Sequence, residues 1–282
     1  MNPVILGIDP KWNSLLPLVV INVLMLSTVV IFAFKYKKRP KDEHLTGRAK
    51  SNWVGPFFYE YWGWFIRPLE TLFVKLGLTP NFFTTFGFVL SAVAGYAFAT
   101  AHFGIGGWMM ILGATCDIFD GRVARRTGST SRSGAYYDSV MDRFGEGAVF
   151  LGLAYYFHDS WILGVVVLAL IGSNLVSYAR AKGDSMGIDC TVGAMQRPER
   201  VVYLGVGSIF SPPFRQIFFP NDGRPIEYLA ILALIIIAVM TLVTAVYRMV
   251  YIMHKLKLKE GLVFQEPRSP LLKRLKARYL DI

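Results

Sequence analysis

The chain has 282 residues, of which 54% are hydrophobic and only 17% charged, with a mean hydropathy of +0.42, well below the roughly 25% charge of a soluble globular chain. Thirty Lys and Arg against nineteen Asp and Glu leave a formal charge of +11, an excess that in so apolar a chain belongs to cytoplasmic loops beside anionic headgroups and argues against nucleic acid as a partner. The same composition reads as an all-α integral membrane protein and excludes three other classes. Cys116 and Cys190 cannot build a disulfide framework, and His44, His102, His158 and His254 have no metal-ligand spacing. No phosphate-binding G-x-x-x-x-G-K-[ST] loop occurs, and Gly104, Gly106 and Gly107 lack the later glycine of a dinucleotide loop.

A spanning helix needs about 20 apolar residues, and seven segments qualify. The first covers 14–35 and ends in Lys35, Lys37, Lys38, Arg39 and Lys41. It is longer than a signal-peptide core and ends in a stop-transfer cluster, so it reads as an uncleaved anchor. From Gly55 to Leu78, aromatic residues mix with Glu60, Arg67, Glu70 and Lys75, the composition of a helix lying in the interface rather than crossing it. Trp53, Trp62 and Trp64 read there as interfacial anchors. Further spans are expected at 81–102, 106–125, 135–158, 161–182, 199–218 and 226–254.

The basic segments 35–53, 125–132, 180–200 and 255–278 all fall on one side when the spans alternate. The positive-inside rule makes that side cytoplasmic, with the N-terminus outside and the C-terminus inside. Lys255, Lys257, Lys259, Lys273, Arg274, Lys276 and Arg278 then give a tail suited to the anionic leaflet. The expected organisation is an anchor and basic linker over 1–53, an interfacial helix with the catalytic membrane domain over 54–255, and a basic tail over 256–282. Small-residue positions such as Gly147 and Gly152 are candidates for close helix contact.

Four acids stand where a membrane should exclude them: Asp117 and Asp120 near the end of one apolar segment, Asp138 and Asp142 near the start of the next. Each costs about 2.5 to 3.5 kcal/mol on insertion scales, so the group needs compensation. Residues three or four apart share a helix face, which pairs Asp117 with Asp120 and Asp138 with Asp142, while Gly121 and Ala124 leave room beside the first pair. Hard oxygen ligands suit Mg²⁺, Mn²⁺ or Ca²⁺. The alternative is a set of rim ion pairs with Arg122, Arg125, Arg126 and Arg143, but four carboxylates on two stripes match the ligand density of a two-metal phosphoryl site.

Asp117, Asp120, Gly121, Ala124, Arg125, Gly134, Asp138 and Asp142 resemble, without a mismatch, the CDP-alcohol phosphotransferase signature D-x2-D-G-x2-A-R-x8-G-x3-D-x3-D. Leu78, Thr79, Pro80, Asn81 and Thr84 resemble the segment that opens the first family helix. Ser177, Tyr178, Arg180 and Lys182, followed by Arg197, Pro198, Glu199 and Arg200, are similar to the phosphatidylinositol-phosphate and archaetidylinositol-phosphate synthase branch. The order Arg180 then Lys182 inverts the pair of that branch, and Gln196 replaces a leading Glu.

The resemblance covers roughly 65–255. It implies a six-helix core, here with one extra N-terminal spanning helix and the interfacial helix, working as a homodimer on a CDP-linked donor with release of CMP. It further implies two Mg²⁺ (or Mn²⁺) ions on Asp117, Asp120, Asp138 and Asp142, with Asp142 also the base. Gly121, Ala124, Arg125, Gly134, Asp117 and Asp138 correspond to the CDP-binding positions. Arg180, Lys182, Arg197, Arg200 and Arg248 are the candidate acceptor-binding cations, each alone also readable as ordinary positive-inside charge. As a set they suit a phosphorylated acceptor, inositol 1-phosphate before inositol, glycerol 3-phosphate or phosphatidylglycerol, with CDP-diacylglycerol as donor. A cation transporter would also place acids in the membrane, but no internal repeat supports one. An inactive scaffold would not keep all four acids.

Overall fold

Eight helices account for nearly all of residues 10–36, 56–219 and 226–260, the residues described in the computed structural model. They are α1 (Pro10–Tyr36), α2 (Pro56–Lys75), α3 (Pro80–Ala99), α4 (Phe103–Thr127), α5 (Arg132–Tyr156), α6 (Ile162–Ser185), α7 (Arg197–Phe218) and α8 (Tyr228–Lys259). Most of the basic 35–53 linker, the loop at 220–225 and the basic tail beyond 260 lie outside the described residues.

The helix ends follow from local chemistry. Thr79 caps α3 by accepting the Phe82 N–H at 3.3 Å, with Pro80 in the first turn where a missing N–H costs nothing. Ser131 does the same for α5 through the Gly134 N–H at 3.0 Å. Gly128 ends α4 in the left-handed region at φ 67°, which a glycine enters without strain. Glu199 accepts the Gln196 N–H at 3.1 Å and closes the start of α7. Helices α4, α5 and α7 begin two or three residues before the expected spans, and the caps of α5 and α7 bring in Arg132 and Arg197.

Among the described helices, α3, α6 and α8 are long and apolar enough to cross a membrane. Helices α4 and α5 fall short because they carry the four acids, and α7 because it carries Arg197, Glu199, Arg200 and Arg215. Helix α2, expected in the interface, is likewise not among the three.

Helix α3 packs along both α4 and α5; α7 packs on α4 and α8, and α8 on α6. Small residues set the closest approaches: a Cβ on Gly152 of α5 would collide with the Gly95 carbonyl of α3, and one on Gly87 would stand 3.0 Å from the Gly113 carbonyl of α4. Gly147, by contrast, faces open space. Phe98, Phe103, Leu153, Leu204, Leu234 and Ile237 fill the centre, where contact between fully buried side chains supplies the hydrophobic term. Helix α1 docks on α7, α2 and α4, with Phe32 buried against Tyr61 and Trp64 and Thr28 hydrogen-bonded to Tyr61 at 2.8 Å.

Candidate active site

Asp117 and Asp120 descend the last turns of α4, and Asp138 opens α5 on the far side of a short turn. One carboxylate oxygen from each of these three lies within 4.8 Å of the others. Asp120 is 8% exposed and accepts a 2.9 Å hydrogen bond from Thr84 of α3, so the helix on which both acid helices pack also orients one acid. Asp138 Oδ1 is buried and has no hydrogen-bond partner among the described residues. Buried oxygens of this kind are almost always satisfied, and a hard cation is the group that three converging carboxylates would satisfy. The residues present therefore fit a divalent ion. Asp142, one turn on from Asp138, stands outside that group of three and is bound instead by Arg197.

Arg197, the first residue of α7, reaches both acid helices. Its Nη1 donates to Asp117 Oδ2 and lies 2.7 Å from Asp142 Oδ1. The rim-pairing alternative is met in part only. Arg122 and Arg126 turn away to Glu70 of α2, at 2.8 and 3.5 Å, and Arg126 also donates to Thr71. Arg143, by contrast, pairs with one of the four acids, Asp142, at 3.6 Å. At about 100° per residue, Arg122 and Arg126 lie on the back of α4, so Glu70 clamps that helix from behind while Asp117 and Asp120 face the site. Arg125 lies over Gly121, whose added Cβ would stand 3.2 Å from the Arg125 Nη1.

Beside the acids opens a cavity of about 470 Å³, lined by Ser139, Asp142 and Arg143 of α5, Val176, Ser177, Arg180, Ala181 and Asp184 of α6, Gln196, Arg197, Pro198 and Arg200 at the start of α7, and Arg248 of α8. Four of the five candidate acceptor cations thus meet in one place. Lys182 does not line it and is exposed. Two residues apart on a helix means about 200° of rotation, so Arg180 and Lys182 cannot face one cavity.

The four arginines differ in what they are free to do. Arg200, 2% exposed, is forked onto Glu146 at 2.7 and 3.1 Å. Arg248, also 2% exposed, donates to the Val192 and Val176 carbonyls at 2.8 and 2.7 Å, tying the 186–196 loop to α6. Among the described residues Arg180 pairs only with Asp184, at 4.0 Å, with half of its side chain exposed. Sequence reasoning missed Glu146, although it continues the four-residue stripe of Asp138 and Asp142. In the same loop burial pushes the Cys190 thiol up, with Arg248 opposing, which fits a packing residue rather than a nucleophile.

A phosphatidylinositol phosphate synthase of Mycobacteroides abscessus is 31% identical over 208 residues, covering 72% of this chain and 88% of that one. An archaetidylinositol phosphate synthase of Pyrococcus horikoshii is 34% identical over 149 residues, covering 51% and 78%. Crystal structures of the Mycobacterium tuberculosis phosphatidylinositol phosphate synthase align over 66% of this chain. With CDP-DAG bound, the alignment covers 92% of that chain at 25% identity and TM-score 0.57; with manganese and citrate, 88% at 26% and 0.58. The CDP-alcohol phosphatidyltransferase model matches residues 77–258, from the cap of α3 to the last turn of α8, and includes all four aspartates of the site. With that model matching more than half of the chain and a relative 31% identical over 88% of its own length, this chain is a member of the CDP-alcohol phosphatidyltransferase family.

Proposed function

We propose that the protein transfers the phosphatidyl group of CDP-diacylglycerol to inositol 1-phosphate and releases CMP. The observation that carries this reading is the continuity of the acid cluster with a cavity lined by arginines: Arg197 binds both Asp117 of the cluster and Asp142 of the cavity wall. The names of the relatives and the CDP-DAG and manganese complexes of the mycobacterial enzyme support donor, acceptor class and cation.

In the reaction, the acceptor hydroxyl oxygen bonds to the phosphorus of the phosphatidyl group as the bond from that phosphorus to the CMP oxygen breaks. The electron pair leaves with CMP, and the hydroxyl proton passes to Asp142. That transfer needs an approach of about 2.6 to 3.2 Å. Two divalent ions, magnesium or manganese, when bound to Asp117, Asp120, Asp138 and Asp142, supply charge neutralisation of the diphosphate and of the leaving group. Gly121, Ala124 and Gly134 leave room for the nucleotide, and Arg125, lying over Gly121, is assigned to a donor phosphate. Arg180 and Arg197 hold the acceptor phosphate by charge-assisted bonds. Arg200 and Arg248 shape the pocket through the partners they already hold.

A CMP-release assay on purified protein with a panel of acceptors tests the assignment. Inositol 1-phosphate should outcompete inositol, glycerol 3-phosphate and phosphatidylglycerol. Each charged hydrogen bond contributes about 1.5 to 3 kcal/mol, so Arg180→Ala should raise the acceptor KM about tenfold or more, while Lys182→Ala leaves it nearly unchanged. Equal or faster turnover of free inositol or phosphatidylglycerol would refute the acceptor and leave the transferase class intact.

The site is assigned to the cytoplasmic face, because Arg125, Arg126 and Arg132 flank the turn between α4 and α5, and Arg180, Lys182, Arg197 and Arg200 flank the α6–α7 connection. A cysteine at position 128 should escape an impermeant thiol reagent in intact cells, against a low background since Cys116 and Cys190 are buried. Labelling from outside would reverse the orientation.

A further inference from the structure

Arg197 belongs to the acid cluster and to the cavity at once. Its Nη1 serves Asp117 and Asp142 together, and its side chain, 24% exposed, lines the space assigned to the acceptor. The first turn of α7, with Pro198 at its second position, projects this side chain across to α4 and α5. Among the described basic residues lining the cavity, Arg197 alone pairs with Asp117. Arg143 meets Asp142 alone, at 3.6 Å, and Arg180 meets Asp184. Arg200 is held by Glu146, and Arg248 by two carbonyls.

Asp117 is also one of the three acids whose oxygens converge on a candidate cation position. A guanidinium and a divalent cation on the same carboxylate repel each other strongly in a partly desolvated site. The guanidinium has another anion to turn to when the cavity holds a phosphate, since arginine pairs with phosphate as readily as with carboxylate.

We propose that Arg197 couples the cation site to the acceptor site: it competes with the divalent cation for Asp117, and a phosphorylated acceptor draws it into the cavity, so that cation and acceptor phosphate bind with positive cooperativity. The inference rests on the proposed function only in giving the acceptor a phosphate. Linkage makes the coupling reciprocal, so the cation tightens the acceptor by the same factor. The movement also frees Oδ1 of Asp142, the residue assigned to take the proton, when the acceptor has arrived.

The test is Mn²⁺ binding to the purified full chain in detergent, with free Mn²⁺ read by electron paramagnetic resonance. It uses Mn²⁺ alone, then Mn²⁺ with inositol 1-phosphate, inorganic phosphate or inositol. In the wild type, either phosphate should tighten Mn²⁺ about tenfold, within the usual range of coupling between sites, and inositol should not. Arg197→Gln and Arg197→Lys should both bind Mn²⁺ more tightly than the wild type without acceptor and lose most of the phosphate response. The lysine keeps the charge on a shorter side chain without the planar guanidinium, so it should not reach the position from which Nη1 spans both carboxylates. Tightening in Arg197→Gln with wild-type affinity in Arg197→Lys would reduce the effect to one charge and overturn the competition. An undiminished phosphate response in both variants would overturn it as well. Failure of the acceptor assignment looks different: inositol 1-phosphate would not release CMP, yet inorganic phosphate would still tighten Mn²⁺ in the wild type alone, sustaining the coupling.

Discussion

Asp117→Asn, Asp120→Asn, Asp138→Asn and Asp142→Asn proteins should insert and purify normally while CMP release falls by at least about 10²- to 10³-fold, the scale on which loss of one transition-state charge contact is felt. The four should not be alike in cation binding. Oxygens of Asp117, Asp120 and Asp138 converge within 4.8 Å, so their amides should weaken Mn²⁺ markedly. Asp142, held by Arg197 and Arg143 outside that group, should lose turnover with a smaller change in Mn²⁺ affinity. Stability should not explain the loss, because neutralising one of several crowded carboxylates relieves like-charge repulsion. Full turnover in EDTA, or near-normal CMP release by Asp120→Asn, would reject the cation mechanism.

Arg200→Ala should cost stability more than acceptor affinity. The side chain is 2% exposed and its fork onto Glu146, itself 12% exposed, is the only described ion pair of either residue. Removing one partner of a buried pair leaves the other charge uncompensated, at about 3 to 5 kcal/mol. The melting temperature in detergent should drop steeply for Arg200→Ala and recover substantially when Glu146→Leu is combined with Arg200→Leu, since apolar replacement of both partners removes the stranded charge. A wild-type melting curve for Arg200→Ala would return Arg200 to the acceptor set, where its sequence position had put it. Arg248, bound to two carbonyls, is subject to the same reasoning.

The four acids were legible as a site before any fold was known because helical periodicity is local: spacings of three and four residues put Asp117 with Asp120 and Asp138 with Asp142 on common faces. The apolar runs likewise located the helices, and the caps at Thr79 and Ser131 corrected only their ends. What a cation is bound to was not legible. Arg122 finds Glu70 at a separation of 52 residues, Arg200 finds Glu146 at 54, and Arg197 finds Asp117 at 80. A basic residue beside a membrane span has the same composition whether it faces headgroups, a buried carboxylate or a substrate cavity. The choice depends on which helices pack together, and glycine contacts such as Gly95 with Gly152 decide how closely. The sequence alone therefore determined the membrane class, the acid stripes and the family they match. The division of the arginines into pocket walls, a back clamp on α4 and the one that joins the two halves of the site arose only in the tertiary structure, because ion pairing follows distances that packing sets between residues remote in the chain.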